Sequence, residues 1–169
     1  GECIADTVRG KLMRESGHTP VYYLPRDDIR MSLFTASDES TYCPYKGEAA
    51  YWTLEVNGQR VENVAWTYPQ PLDDAPDLRG YLAFYWDLMD AWFEEDEQVY
   101  VHPRDPFVRV DALPSSRHVK VVVAGKTVAN SNRPVILFET GLPPRFYLPW
   151  YDVDTKLLQP SKTLTRCPY

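Results

Sequence analysis

The 169 residues, 19.5 kDa with 44 % hydrophobic side chains, suffice for one medium domain or two small ones with a real core, which excludes a disordered chain. Eighteen basic against 24 acidic residues leave a net charge of −6, so nothing electrostatic draws the protein to a nucleic-acid backbone or an anionic membrane, and neither is expected as a partner. Fifteen prolines against eight glycines disfavour long uninterrupted helices, and no run approaches the length of a membrane-spanning helix.

Along the chain the local signals are mostly those of strands and turns. Leu12 to Glu15 and Val21 to Leu24, separated by a Gly/Pro turn, predict a hairpin whose second strand is closed by Pro25. Asp27 to Phe34 suits one helical turn, with aspartates near its N-terminal end. Tyr51–Val56 and Gln59–Val64 flank Asn57-Gly58, a pair that favours the left-handed dihedrals of a type I′ turn, and form the clearest hairpin. Segment 78–101 is ambiguous: Leu78, Leu82, Tyr85, Met89 and Trp92 fit a helical face, whereas Leu82, Phe84 and Trp86 alternate as in a strand, the reading we favour. His118–Ala124 and Thr127–Asn130 flank Gly125-Lys126 as another hairpin, followed by Ile136–Glu139 with Arg145–Leu148 and a helical turn within Asp152–Leu158.

The second half of that series repeats the first. At an offset of 124, residues 1–45 align with 125–169 without a gap, and sixteen of the 45 pairs are identical, where chance gives about three. Residues 1–117 are therefore read as a first repeat unit missing its first strand, of whose leading hairpin Gly1–Asp6 is the remainder, and 118–169 as the N-terminal half of a second unit. Such a chain is expected to be a piece of a longer tandem protein, or one whose half-units complement each other across an interface as a homodimer or by strand exchange. The class is mainly β: a compact antiparallel domain, sandwich or β-tent-like, with an internal repeat and a few short helical turns.

The cysteines, Cys3, Cys43 and Cys167, are odd in number and lack C-x-x-C spacing, so no disulfide scaffold is expected and a reducing, cytoplasmic location is. His18, His102 and His118 show no ligand spacing, and neither metal nor cofactor is expected. The sharpest local signal is Cys43-Pro44-Tyr45-Lys46, where an ammonium near a thiol raises its thiolate fraction; a small buried hydrophobe beside a capping lysine is the plainer alternative. Tyr45, Trp52 and Trp66, converging on Cys43 and Lys46, would make an aromatic-lined pocket for a small planar or anionic molecule. Arg9 and Glu15 recur as Arg133 and Glu139, predicting a charged pair between neighbouring strands in both copies, either structural or clamping a ligand. The second copy would contribute Cys167 and Tyr169.

The stretches RESGHTPVYYLPRDDIR, TYCPYKGEAAYW, AWTYPQP, YLAFYWD, ETGLPPRFYLP and RCPY together resemble the domain-of-unknown-function 427 family in its tandem-copy form. The resemblance covers nearly the whole chain and implies a compact, mostly antiparallel β domain, with a nucleotidyltransferase-like label. That chemistry requires carboxylates holding Mg²⁺ on phosphates. Only Asp152-Val153-Asp154 has a D-x-D form, and its first-copy counterpart is Asp28-Ile29-Arg30. Binding of a small molecule near Cys43 and Lys46 is the expected function. An enzyme with Cys43 as nucleophile or redox centre and a protein-interaction scaffold are the alternatives.

Overall fold

The computed structural model describes residues 1–107 and 109–165 and divides into two compact units, Gly1–Trp92 with Val99–Asp105, and Phe93–Gln98 with the chain from Pro106 onward. The first unit is built on one antiparallel sheet of six strands, β1 (Lys11–Met13), β2 (Val21–Pro25), β3 (Phe34–Cys43), β4 (Gly47–Val56), β5 (Gln59–Thr67) and β6 (Tyr81–Phe84), in the order β1-β2-β6-β5-β4-β3. The ribbon β7 (Trp92–Glu94) with β8 (Glu97–Val99) has residues in both units. In the second unit, β9 (Val110–Pro114), β12 (Val135–Glu139) and β13 (Arg145–Tyr147) form a three-stranded sheet, and β10 (Val119–Val123) pairs with β11 (Lys126–Ser131). The mainly antiparallel β class expected from the sequence is what the chain adopts. Among the described residues no helix is long and apolar enough to cross a membrane.

Period-two alternation explains how one sheet serves two cores. Leu24, Trp52, Leu54, Ala65, Leu82 and Phe84 face a cluster with Ile29, Phe34 and Val64. Their chain neighbours Tyr23, Tyr51, Trp66 and Ala83 face the opposite side, with Ala49, Tyr68 and Leu78. Segment 78–101 follows the strand alternation where it matters, in β6, and then turns through a 3₁₀ stretch at Trp86–Leu88. Asn57 (φ 52°) and Gly58 (φ 76°) carry the predicted type I′ turn, and the β4–β5 ladder runs beyond it as far as Ala50 opposite Thr67. In the β10–β11 hairpin the left-handed residues are Ala124 and Gly125, one position earlier than expected, because Lys126 already pairs with Val123. Val121, Val122 and Val123 are all exposed.

The repeat is visible bond by bond. Ala5 bridges Ile29 as Ala129 bridges Val153, and the Arg30 amide donates to the Ile4 carbonyl at 2.8 Å as the Asp154 amide does to that of Val128. Arg9 and the hydroxyl of Thr7 both donate to the Asp28 carboxylate, and Arg133 and the hydroxyl of Ser131 do the same to Asp152. Each carboxylate closes a 3₁₀ turn, Arg26–Asp28 or Trp150–Asp152, back onto the segment preceding β1 or β12. The expected helical turns are therefore two short 3₁₀ turns in each copy. Gly1–Asp6, expected as a strand remnant, holds a single bridge residue, Ala5.

Candidate functional site

The β3–β4 connection is a four-residue turn in which the Lys46 amide donates to the Cys43 carbonyl at 3.3 Å and the Lys46 carbonyl accepts from Leu72 at 3.1 Å. Gly47 follows at φ +98°, and a Cβ there would stand 3.3 Å from the Gln70 carbonyl oxygen, so only glycine suits both the dihedral and the close approach. Fixed in this way, the turn sends the Lys46 side chain inward rather than into solvent.

Lys46 is 8 % exposed, which is rare for a lysine without a partner. Its Nζ donates to Glu15 Oε1 at 2.5 Å and lies 5.7 Å from the centre of the Tyr68 ring. Glu15 follows β1 at the start of the Gly17 turn, and its side chain remains 35 % exposed, so the ion pair is closed on the lysine side and open on the carboxylate side. Cys43, half-buried, packs against the core cluster that holds Tyr68 and Tyr23, and burial is the main cause holding the Tyr68 phenol well above its ordinary pKa. Tyr23, on β2, accepts a hydrogen bond from Trp66 Nε1 at 3.2 Å and is pushed up to about 12, again chiefly by burial. Both phenols thus stay protonated, and so remain available as hydrogen-bond donors, through neutral pH. Glu15, Lys46, Tyr68, Cys43 and Tyr23 form one cluster combining a carboxylate, an ammonium, a thiol and two phenols.

The structure brings Cys43, Lys46 and Glu15 together, and Trp66 reaches the cluster through Tyr23. Three expectations need correction. Arg9 and Glu15 are not paired: Arg9 binds Asp28 and Glu15 binds Lys46, while Glu139 lies 3.7 Å from Arg145. Trp52 does not line the cluster, because alternation along β4 places it in the opposite core, with the Arg26 guanidinium 4.5 Å from its ring centre. Tyr45 is exposed at the tip of the turn, since Lys46 takes the inward position. Cys167 and Tyr169 lie outside the described residues.

The sequence reading missed the roles of Tyr23 and Tyr68. Tyr23 could have been found, since it is one of the sixteen repeated identities, recurring as Tyr147 in the second copy. Tyr68 lies beyond the aligned span, and only its place in the AWTYPQP stretch marked it.

The acidic candidates have structural employment. Asp152 is held by Arg133 and Ser131, which keep its carboxyl below the usual range, and Asp154 accepts from the Lys156 amide. Among the described residues no three His, Cys, Asp or Glu side chains converge as a metal site would require. A hollow of about 190 Å³ in the second unit is lined by Arg109, Phe138, Glu139, Thr140 and Leu142 among others, but its guanidinium is already engaged by Asp111 and Glu94.

Comparison with known families gives a match over most of the chain. Residues 1–95 and 111–169 fit the model of the family described as domain of unknown function (DUF427), in two segments as a tandem chain would. No curated protein matches the chain.

Proposed function

The chain belongs to the DUF427 family, and on that footing we propose that it is a small-molecule-binding β module whose recognition centre is the Glu15–Lys46–Tyr68–Cys43 cluster. The observation that carries this reading is the inward lysine. An ion pair closed on one side stabilises a fold less than well-packed hydrocarbon in the same space, so its presence is better accounted for by recognition than by stability. The cluster offers a compact polar ligand an ammonium and a phenol as donors and a solvent-facing carboxylate as acceptor, beside the apolar side chains of Met13 and Val21.

Two identities of the repeat agree with this reading: Glu15 recurs as Glu139 and Cys43 as Cys167. The test is a small-molecule screen by saturation-transfer NMR on the wild-type chain, repeated on Lys46→Met and Cys43→Ser. Bound compounds should be lost from Lys46→Met and retained by Cys43→Ser. Compounds that bind equally well to Lys46→Met would overturn the assignment.

A second reading, an enzyme using Cys43 as nucleophile or redox centre, is favoured by the place of Cys43, half-buried against the same cluster as Tyr68 and at the start of the turn that carries Lys46. Cys3 is free and exposed and serves as an internal reference. Alkylation of Cys43 at neutral pH faster than that of Cys3, despite lower exposure, would support catalysis, and a slower rate would remove it.

A further inference from the structure

Next to the Lys46 cluster the sheet face is closed by chain that belongs to no strand. Residues 68–80 connect β5 to β6 over a length well beyond the roughly four to six residues usual between elements, a feature common in active-site lids and binding loops. The base of this loop is clamped: the Thr67 hydroxyl donates to the Tyr81 carbonyl at 2.7 Å, and the Arg26 amide donates to the Gly80 carbonyl at 2.8 Å. Clamped ends make it a loop of the Ω kind, able to move without parting the strands beneath. From that base it is tied to both edges of the sheet. The Leu72 amide donates to the Lys46 carbonyl at 3.1 Å in the turn joining β3 and β4, and Lys11 Nζ, on β1, donates to the Asp77 carbonyl at 2.8 Å. Between those two points no hydrogen bond among the described residues joins the loop to a strand. Pro69, Pro71 and Pro76 stiffen it, so it moves as a piece.

Past Tyr68, the buried side chain of this loop is Leu78, 1 % exposed and packed with Tyr23, Ala49, Tyr68 and Ala83. Ala49 and Ala83, from β4 and β6, are short side chains on a face that otherwise carries Tyr23, Tyr51 and Trp66, so they leave a recess, and Leu78 fills it. The plug is thus an isobutyl group in the same cluster as Tyr68, whose ring centre is 5.7 Å from Lys46 Nζ. We infer that residues 68–80 are a lid over the recognition centre and that Leu78 stands where the apolar end of the ligand goes, a short branched aliphatic group over Ala49 and Ala83. The ligand is then amphiphilic, its polar end at Glu15 and Lys46 and its aliphatic end in the recess. The polar end rests on the reading given above, whereas the lid and its plug stand on the packing of Leu78 alone. While the plug is in place it competes with the ligand, so apparent affinity falls by the fraction of chains with the lid open.

The experiment has two arms on the full chain. In the first, Leu78→Cys and Leu82→Cys each place a thiol where the native side chain is 1 % exposed, the second in the opposite core, and alkylation by iodoacetamide is followed by peptide mass spectrometry. The thiol of Leu78→Cys should react at least about tenfold faster than global unfolding of that variant allows, and that of Leu82→Cys no faster than its own unfolding allows. A Leu78→Cys rate that global unfolding accounts for overturns the lid. In the second arm isovaleramide, an amide carrying the same isobutyl group, is titrated by NMR into wild type and Leu78→Ala. Binding to Leu78→Ala should be at least about tenfold tighter, because the plug is gone. No gain overturns the recess, even where compounds that depend on Lys46 bind and the recognition centre stands. Tighter binding that Lys46→Met leaves unchanged in the Leu78→Ala background does the reverse: it keeps the lid and its plug and removes Lys46 as the polar anchor. If the Leu78 variants fail to fold, methyl relaxation dispersion on the wild-type chain decides. Exchange at the Leu78 methyls with none at Leu82 supports the lid, and flat profiles at both overturn it.

Discussion

Removing either partner of the Lys46–Glu15 pair should have unequal consequences, and the inequality follows from how each is exposed. Glu15→Ala leaves an ammonium that is 8 % exposed without its counter-charge. Orphaning a fully buried charge costs roughly 3–5 kcal/mol, and because water can enter where the partly exposed carboxylate stood, a discounted value of about 2 kcal/mol is expected. Lys46→Met keeps the hydrocarbon stem, removes the charge, and leaves Glu15 free to hydrate outward, so it should cost about 1 kcal/mol or less. The double variant should lie close to Lys46→Met alone, giving a coupling of about 2 kcal/mol, the whole cost of Glu15→Ala, in a double-mutant cycle. Urea unfolding followed by tryptophan fluorescence measures this in the right place, since Trp52, Trp66, Trp86 and Trp92 belong to the first unit and Trp150 alone to the second. With a slope of roughly 2 kcal/mol/M, the Glu15→Ala midpoint should fall by about 1 M. A Lys46→Met midpoint lower than that of Glu15→Ala would refute the reasoning, because the ammonium would then be supported by water rather than by Glu15.

Acid should loosen both copies together. Arg9 and Thr7 hold the Asp28 carboxyl below its ordinary value of 3.8, Arg133 and Ser131 do the same for Asp152, and Arg79 holds Asp77 at about 2. Groups depressed in the folded state contribute stability that is complete above the ordinary carboxylate value and is lost as the pH falls through the lowered one. Unfolding midpoints should therefore be flat near neutrality and decline below about pH 4, and Asp28→Asn should flatten part of that decline in urea titrations at graded pH. At the alkaline end the sign reverses: Tyr23 is raised to about 12, so the stability it contributes is intact below about pH 10 and is lost as the pH rises toward its folded value. Absorbance at 295 nm should show two phenols silent until the chain unfolds, and Tyr23→Phe should remove one of them. Two glycines separate strain from crowding. Gly58→Ala meets no atom within 4 Å and carries only the cost of its φ of +76°, about 1 kcal/mol, whereas Gly47→Ala adds the Gln70 carbonyl at 3.3 Å and should cost more by differential scanning calorimetry.

The parts of the fold that could be read in advance are those where chemistry repeats on a short period. Alternation through Tyr51–Val56 together with Asn57-Gly58 specified the β4–β5 hairpin, because one face had to be buried and one turn type suited the pair. β3 escaped notice for the opposite reason: Phe34–Cys43 reads FTASDESTYC, is exposed along most of its length, and is held as an edge by β4 rather than by its own burial. At the candidate site the Cys43–Lys46 turn was visible because its members are adjacent in sequence. The partner of Lys46 was not, since Glu15 comes from a distant hairpin. The pairing of Arg9 was mistaken although the clue was present: Asp28 recurs as Asp152 just as Arg9 recurs as Arg133, and a guanidinium with two recurring acids to choose from took the one that closes a turn.

The exposed Val121-Val122-Val123 run has a practical consequence. A two-stranded ribbon has little sheet around it to discourage stacking, and three consecutive β-branched side chains without charge are the kind of segment that seeds fibrils when chains are crowded. Lys120 and Lys126 bracket the run and repel a second ribbon approaching in register, a protection that depends on their remaining ionised and unscreened. Preparations kept at low salt should stay clear longest, and shelf life should shorten as ionic strength rises.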